Sequence, residues 1–236
     1  MTRRRSLVLG LLLVLIGGAC SSGSGGDDDA ESLDIDGVRS LAADAMSDID
    51  TVLFTIELEG ADVFIDDDGL IGFRNAEGRY AAPSSADAVV AVNALGLATE
   101  VGAIAIDGEA WITNPLTGDW EPAPAAFTFD PALLFDPEVG FSTLLADGLV
   151  NAELVAPAPD EDQRYHIAAD VDPVRVAALT GGLVDDVDNV DLWVDARSGL
   201  LTEVTFDVGI DAGGTSWRLL LTDYGSPVSI TEPDLG

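Results

Sequence analysis

Lysine is missing from this chain altogether, cysteine and histidine occur once each, and aromatic residues make up only 6% of it. Ten arginines against 43 acidic residues leave a formal charge of −33. That excludes a nucleic-acid surface, which needs basic stripes, and docking on anionic headgroups through a polybasic patch. Without lysine there is no Ser–Lys catalysis. With one cysteine there is no internal disulfide, so the folded part depends on its hydrophobic core. A hydrophobic content of 47% is ample for that. Catalytic signatures are missing as well. His166 lies in the strand-like run Tyr165-His166-Ile167 with no metal-type spacing beside it, and Gly140-Phe141-Ser142 lacks the second glycine of a nucleophile elbow. Asp185, Asp186, Asp188 and Asp191 lack the EF-hand spacing and read as a solvated loop. The expectation is a protein that is not an enzyme and has no cofactor and no metal.

The informative residue is the single cysteine, Cys20. Arg3, Arg4 and Arg5 precede an apolar run from Leu7 to Ile16, and Gly17-Gly18-Ala19 leads into Cys20. A basic start, a short apolar segment and small residues describe a secretory signal peptide. Small residues ending in cysteine make it a lipobox, although Gly17 stands where leucine is usual. The apolar run is shorter than the ~20 residues a membrane span requires. The reading is a signal peptide over 1–19, cleaved before a lipidated Cys20, and an acidic Gly/Ser linker to residue 32. Removing 1–19, with three arginines and no acid, takes the formal charge from −33 to −36. Such a linker has a reach of roughly 18 Å. It would hold a domain, residues 33–236, at the extracytoplasmic face of the cell membrane.

Within that domain, apolar residues recur at three- and four-residue steps from Leu33 to Ile49, which predicts an amphipathic helix. From Val52 the period changes to two, predicting a strand that carries Phe54 and Ile56 on its apolar face. Further strands are expected at 61–66, 70–75, 79–82, 86–95, 99–107 and 109–114, with turns at Asp66-Asp67-Asp68-Gly69, Ala76-Glu77-Gly78 and Asp107-Gly108. Residues 115–124 read as a loop. Asp130-Pro131 and Asp136-Pro137 start two short helices. Strands at 149–156 and 163–170, a helix from Asp172 to Leu179, strands at 189–195, 200–208 and 215–223, and an extended piece at 226–231 complete the chain. The sum is a single α+β domain: a strongly curved antiparallel sheet wrapped around helices.

Several stretches in this order resemble the LppX/LprA/LprF/LprG family of actinobacterial lipoproteins. They are the helix-to-strand join Ala45–Phe54, Ile106–Trp111, Pro115–Trp120, Phe135–Phe141, the hairpin Leu192–Leu201 and the closing run Leu221–Val228. The likeness spans residues 33–232, and the late hairpin also resembles half-barrel carriers of the LolA/LolB type. The resemblance implies a half-barrel with an internal hydrophobic cavity for the acyl chains of lipids or glycolipids. It also implies a role in carrying them across the space outside the cytoplasmic membrane. A membrane transporter is then a candidate partner, and a monomer is expected.

The residues offer partial support of their own. Strands 86–95 and 99–107 are built from Ala, Val, Gly and Ile, and small side chains facing helices leave volume unfilled. The candidate cavity residues are Phe54, Ile56, Val90, Val92, Ile104, Ile106, Trp111, Leu144 and Leu145. Both faces of strand 86–95 are apolar, so a one-residue slip inverts the assignment there. If Val90 and Val92 line an open cavity, a tryptophan at either position should block lipid uptake at little cost in stability. The competing reading is a tethered interaction or scaffold module with no internal ligand.

Overall fold

The computed structural model describes residues 33–64, 69–94, 96–124, 131–180, 182, 184, 187, 189–209 and 214–235. Cys20, the signal-peptide segment, the linker and Asp185, Asp186 and Asp188 lie outside them. Helix α1 (Ile35–Ser47) opens on Asp34, whose carboxylate accepts from the Gly37 N–H at 2.8 Å. That satisfies one of the donors a helix leaves unpaired at its start. The helix buries Val38, Ala42 and Met46, a stripe at four-residue steps. β1 (Thr51–Gly60) then alternates, burying Val52, Phe54 and Ile56.

A run of antiparallel strands follows: β2 (Val63–Phe64), β3 (Ile71–Ala81), β4 (Ser85–Ala94), β5 (Leu97–Ile106), β6 (Glu109–Thr113) and β7 (Trp120–Pro122). Next come a 3-10 turn, Pro131–Phe135, and a short helix α2 (Phe141–Thr143) that widens into a π-helical turn, Leu144–Gly148. β8 (Leu149–Leu154), β9 (Arg164–Val171), α3 (Pro173–Leu179), β10 (Asn189–Asp195), β11 (Leu201–Val208) and β12 (Thr215–Thr222) complete the order. All twelve strands form one sheet, ordered β7-β6-β5-β4-β3-β1-β12-β11-β10-β9-β8, with β2 paired to β3. β1 and β12 pair near the middle over eight positions. The order runs from β7 at one edge to β8 at the other without closing. Its concave face carries the core and wraps the helices, so the expected α+β half-barrel is the observed fold.

The structure differs from the sequence-based expectation at three places. Ala76-Glu77-Gly78 is no turn: β3 is continuous, with a bulge between Phe73 and Asn75. Gly78 stays in the strand because the Phe54 ring fills the place its side chain would take; a Cβ there would lie 2.3 Å from Phe54 Cζ. The second central helix starts at Phe141 rather than Pro137, since the Asp136 carboxylate accepts from the N–H groups of Glu138 (2.8 Å) and Val139 (3.1 Å) and holds a turn. Trp120–Pro122 forms β7 instead of a loop, with the indole edge of Trp120 packed over Gly102. Residues 226–231, expected as an extended piece, follow β12 without joining the sheet. Of the strand expected at 61–66, Val63–Phe64 is described as β2.

Candidate functional site

Between the concave sheet and its helices lies a cavity of about 90 Å³. The alternation of each strand sets the sheet side of its wall: Ile56 from β1, Phe73 from β3, Val190 from β10, Val204 and Phe206 from β11, and Trp217 and Leu219 from β12. Val171 ends β9 at the same wall. The helical side contributes Leu134 and Phe141, then Leu144, then Val176 and Leu179 of α3, with Thr180, Val184 and Val187 after it. Thr180 is the one hydroxyl among these. It donates to the Val176 carbonyl at 2.9 Å and accepts from the Val184 N–H at 3.1 Å, so it is spent on local structure. Among the described residues that line it none is charged. Such a wall suits hydrocarbon.

Aromatic stacking braces one side. Trp217 lies between Phe73, with centroids 5.5 Å apart, and Phe206, at 5.8 Å. Phe135 bridges Tyr80 (4.4 Å) and Phe141 (6.0 Å), tying the 3-10 turn and α2 to β3. The two walls differ in rigidity. The sheet side is held by continuous ladders, whereas the helical side is made of pieces of three to seven residues. The volume is smaller than the roughly 150 Å³ of a dry cavity that admits benzene, so a long chain can enter only if a wall moves.

Of the candidate residues, Ile56 and Leu144 line the cavity. Phe54, Val90, Val92 and Leu145 are buried in the same core, but outside the lining. Val92 is 2% exposed and Leu145 fully buried, so a tryptophan at Val92 would overpack the core rather than plug an opening, contrary to the expected small cost. Ile104 and Ile106 require a correction. Ile104 pairs with Asp87 and Ile106 with Ser85, out of phase with the buried Ala86, Ala88, Val90 and Val92, so both face the outer side of the sheet. Trp111 pairs with Ile104 and shares that outer side. It is buried, but apart from the main core. The reason is the ambiguity of an all-apolar strand, whose register decides the face. On this outer side, Leu53, Arg79, Asp87, Val89, Ile104 and Trp120 border an open groove in which Arg79 and Asp87 form a two-point ion pair.

His166 is also on the outer face. It stacks on Trp193 with centroids 4.4 Å apart, and its Nε2 lies 2.6 Å from Asp191. Among the described residues no group of three or more His, Cys, Asp or Glu is placed to hold a metal ion. The residues that sequence reasoning missed are the aromatic stack and the β-branched lining of β10 and β11. Their signal was present as alternation: Trp217, Leu219 and Leu221 share one face of β12, and Val204 and Phe206 one face of β11.

This fold is shared by solved structures that include two mycobacterial lipoproteins. LprF from Mycobacterium bovis superposes with a TM-score of 0.63 at 13% identity, covering 84% of this chain and 96% of that one. Lipoprotein LppX from Mycobacterium tuberculosis does so with a TM-score of 0.59 at 16% identity, covering 84% and 98%. Comparison with curated proteins finds no match. A family model of the LppX_LprAFG lipoproteins matches residues 38–230, and the chain therefore belongs to that family.

Proposed function

We propose that this protein is a membrane-anchored lipoprotein that takes acyl chains of a lipid or glycolipid into the half-barrel and carries them outside the cytoplasmic membrane. The observation that carries this reading is the cavity wall: a continuous apolar lining, with its single hydroxyl already bonded, between a rigid sheet and a segmented helical layer. Membership of the lipoprotein family and the lipobox at Cys20 support the anchor. The apolar wall supports a binding and transfer role in this reading.

Energetics favours exchange over storage. Each methylene taken from water is worth ~0.8 kcal/mol, but the competing environment is a bilayer, as apolar as the cavity. Transfer between the two is close to neutral, which lets a carrier both load and unload. The chain enters by displacing the helical side, α2 with its π-turn and α3, from the sheet. The scaffold reading draws on the same small volume, since a closed core needs no ligand.

The test is native extraction of the full-length protein from membranes, followed by mass spectrometry of what co-purifies. Stoichiometric acyl lipid is the expected result; a lipid-free protein that also takes up none from vesicles would favour the scaffold. In the same preparation Cys20→Ala should move the protein out of the detergent phase. An unchanged partition would remove the anchor from the proposal.

A further inference from the structure

Ten arginines face 43 acidic residues in this chain, so an arginine of the folded domain has carboxylates in excess to pair with. Most do pair. Arg74 meets Asp62 at 3.2 Å, Arg79 meets Asp87, Arg164 meets Asp160 and Glu203, and Arg218 meets Glu57 and Glu203. Arg39 donates instead to the carbonyls of Leu145 (3.0 Å) and Ala146 (2.7 Å) in the π-turn. Arg197 is exposed in the β10–β11 turn, where its charge acts on Asp195. Arg175 is the exception. It is half-buried, and its guanidinium has no carboxylate or carbonyl partner among the described residues.

Its place is unusual as well. Arg175 lies in the first turn of α3, next to Val176 and one helical turn before Leu179, both of which line the cavity. Its stem rests against Gly148, the last residue of the π-turn. A Cβ on Gly148 would come 3.0 Å from Arg175 Cδ and 2.7 Å from Cδ1 of Leu144, another lining residue. Arg175 therefore stands at the seam where the π-turn meets α3, outside the apolar lining and in the layer through which the chain enters. Packing does not explain its charge. A stem that only covers Gly148 needs no guanidinium, and the helix dipole favours cations at the other end of a helix. Taking a charge partly out of water without a partner is costly.

We infer that Arg175 receives the headgroup of the carried lipid, and that this headgroup bears an anionic oxygen group, a phosphate or a carboxylate. This rests on the carrier reading above. A planar guanidinium meets either group through two parallel N–H···O bonds. Elsewhere the acidic surface repels an anion, so Arg175 also fixes where the headgroup rests. The acyl chain runs inward past Leu144 and Leu179, while the charge stays at the seam and out of the apolar cavity. Gly148 belongs to the same arrangement, because a side chain there would press on the Arg175 stem.

The experiment offers the full-length protein two lipids from phosphatidylcholine vesicles, dipalmitoyl phosphatidic acid and dipalmitoylglycerol, which share their chains and differ by the phosphate. The uptake ratio of the first to the second is compared between the parent and Arg175→Met, which keeps a stem and loses the charge. The ratio should fall about tenfold or more, the scale of hydrogen bonds to a charged group. Comparing ratios cancels the affinities of the lipids for the vesicle. With ¹⁵N-labelled arginine, phosphatidic acid should shift the Arg175 Nε–H resonance of the parent, and dipalmitoylglycerol should not. Millimolar inorganic phosphate should leave the uptake of phosphatidic acid unchanged. Displacement of the lipid by phosphate would assign the site to a free anion and overturn the headgroup role. An Arg175→Met ratio equal to the parent's, or an unmoved resonance on uptake of phosphatidic acid, would overturn it too, while the carrier reading stands. If the parent takes up neither lipid, the carrier reading fails and this inference fails with it. Should Arg175→Met not fold, the resonance in the parent protein decides alone.

Discussion

A methyl group at Gly78 would meet the Phe54 ring at 2.3 Å and the Asp87 carbonyl at 2.4 Å, and the second of these is backbone that two strand ladders hold in place. At Gly102 the nearest obstacle is the rim of the Trp120 indole at 2.9 Å, which can rotate away. Gly78→Ala should therefore destabilise the fold by about 1–3 kcal/mol, the usual cost of overpacking, and Gly102→Ala by clearly less. Equal denaturation midpoints for the two variants would contradict this. A second residue-scale expectation concerns Asp195 in the β10–β11 turn. Its carboxylate accepts from the Ser198 N–H and the Ser198 hydroxyl, both at 2.7 Å, and these bonds hold it below the ordinary aspartate value of 3.8. Because the folded value is the depressed one, the stabilisation is complete above 3.8 and is lost as pH falls through the folded value. The stability difference between the parent and Asp195→Ala should be constant at neutral pH and shrink on acidification below about pH 4. A difference that persists unchanged into that acid range would assign the residue a purely steric role. Neither behaviour could be read from the sequence alone for Gly78, whose neighbours Ala76 and Glu77 resemble a turn. The Asp195-Ala196-Arg197-Ser198-Gly199 hairpin turn, by contrast, was legible because short-range hydrogen bonding alone specifies it.

Among the elements, the helices differ most in what holds them. α1 is capped, thirteen residues long and buried along one stripe, and α3 has its own cap from Asp172, which accepts from the Val174 N–H at 2.9 Å. α2 has no side-chain cap and passes into a π-helical turn. Local opening is least costly where buried contacts are few and segments short. Amides of α2, its π-turn and α3 should exchange with solvent faster than those of the central pair β1 and β12, and bound lipid should slow the former group selectively. Uniform protection across helices and sheet, with or without lipid, would argue against entry through the helical wall. Amphipathic elements with strong periodicity, α1 and β1 above all, were readable because a single pattern fixes both type and buried face. β5 was readable as a strand but not as a face, which is why Ile104 and Ile106 were expected inside. β7 was hidden because three residues carry no period, and only their antiparallel pairing with β6, with Trp120 covering Gly102, makes them a strand.

At the scale of the whole molecule, charge and shape have separate origins. A formal charge of −33 makes the folded surface repel itself, even though Arg218 bridges Glu57 and Glu203 and Arg164 pairs with Asp160 and Glu203 across the outer face. The pairs that lie at the surface contribute little, and the half-buried Arg164–Glu203 pair is one against a large excess of acids, so net repulsion should dominate the response to salt. The thermal midpoint is expected to rise between low and moderate ionic strength as the Debye length shortens; a flat or falling midpoint would show that the pairs outweigh the repulsion. Composition and charge argued against a nucleic-acid surface, and the pattern of hydrophobic periods determined an antiparallel α+β domain, with the buried face legible wherever the other side of a strand is polar. Those properties are local, set by residue chemistry and by neighbours a few positions apart. The tertiary structure decided the rest: that β1 and β12 meet near the centre of one sheet, that β3 runs straight through Gly78, and that Phe73, Phe206 and Trp217 converge on a cavity. These depend on register and on contacts between different strands, from Phe54 against Gly78 to the pairing of β1 with β12 and of Phe73 with Trp217 more than a hundred positions apart, which no local pattern encodes.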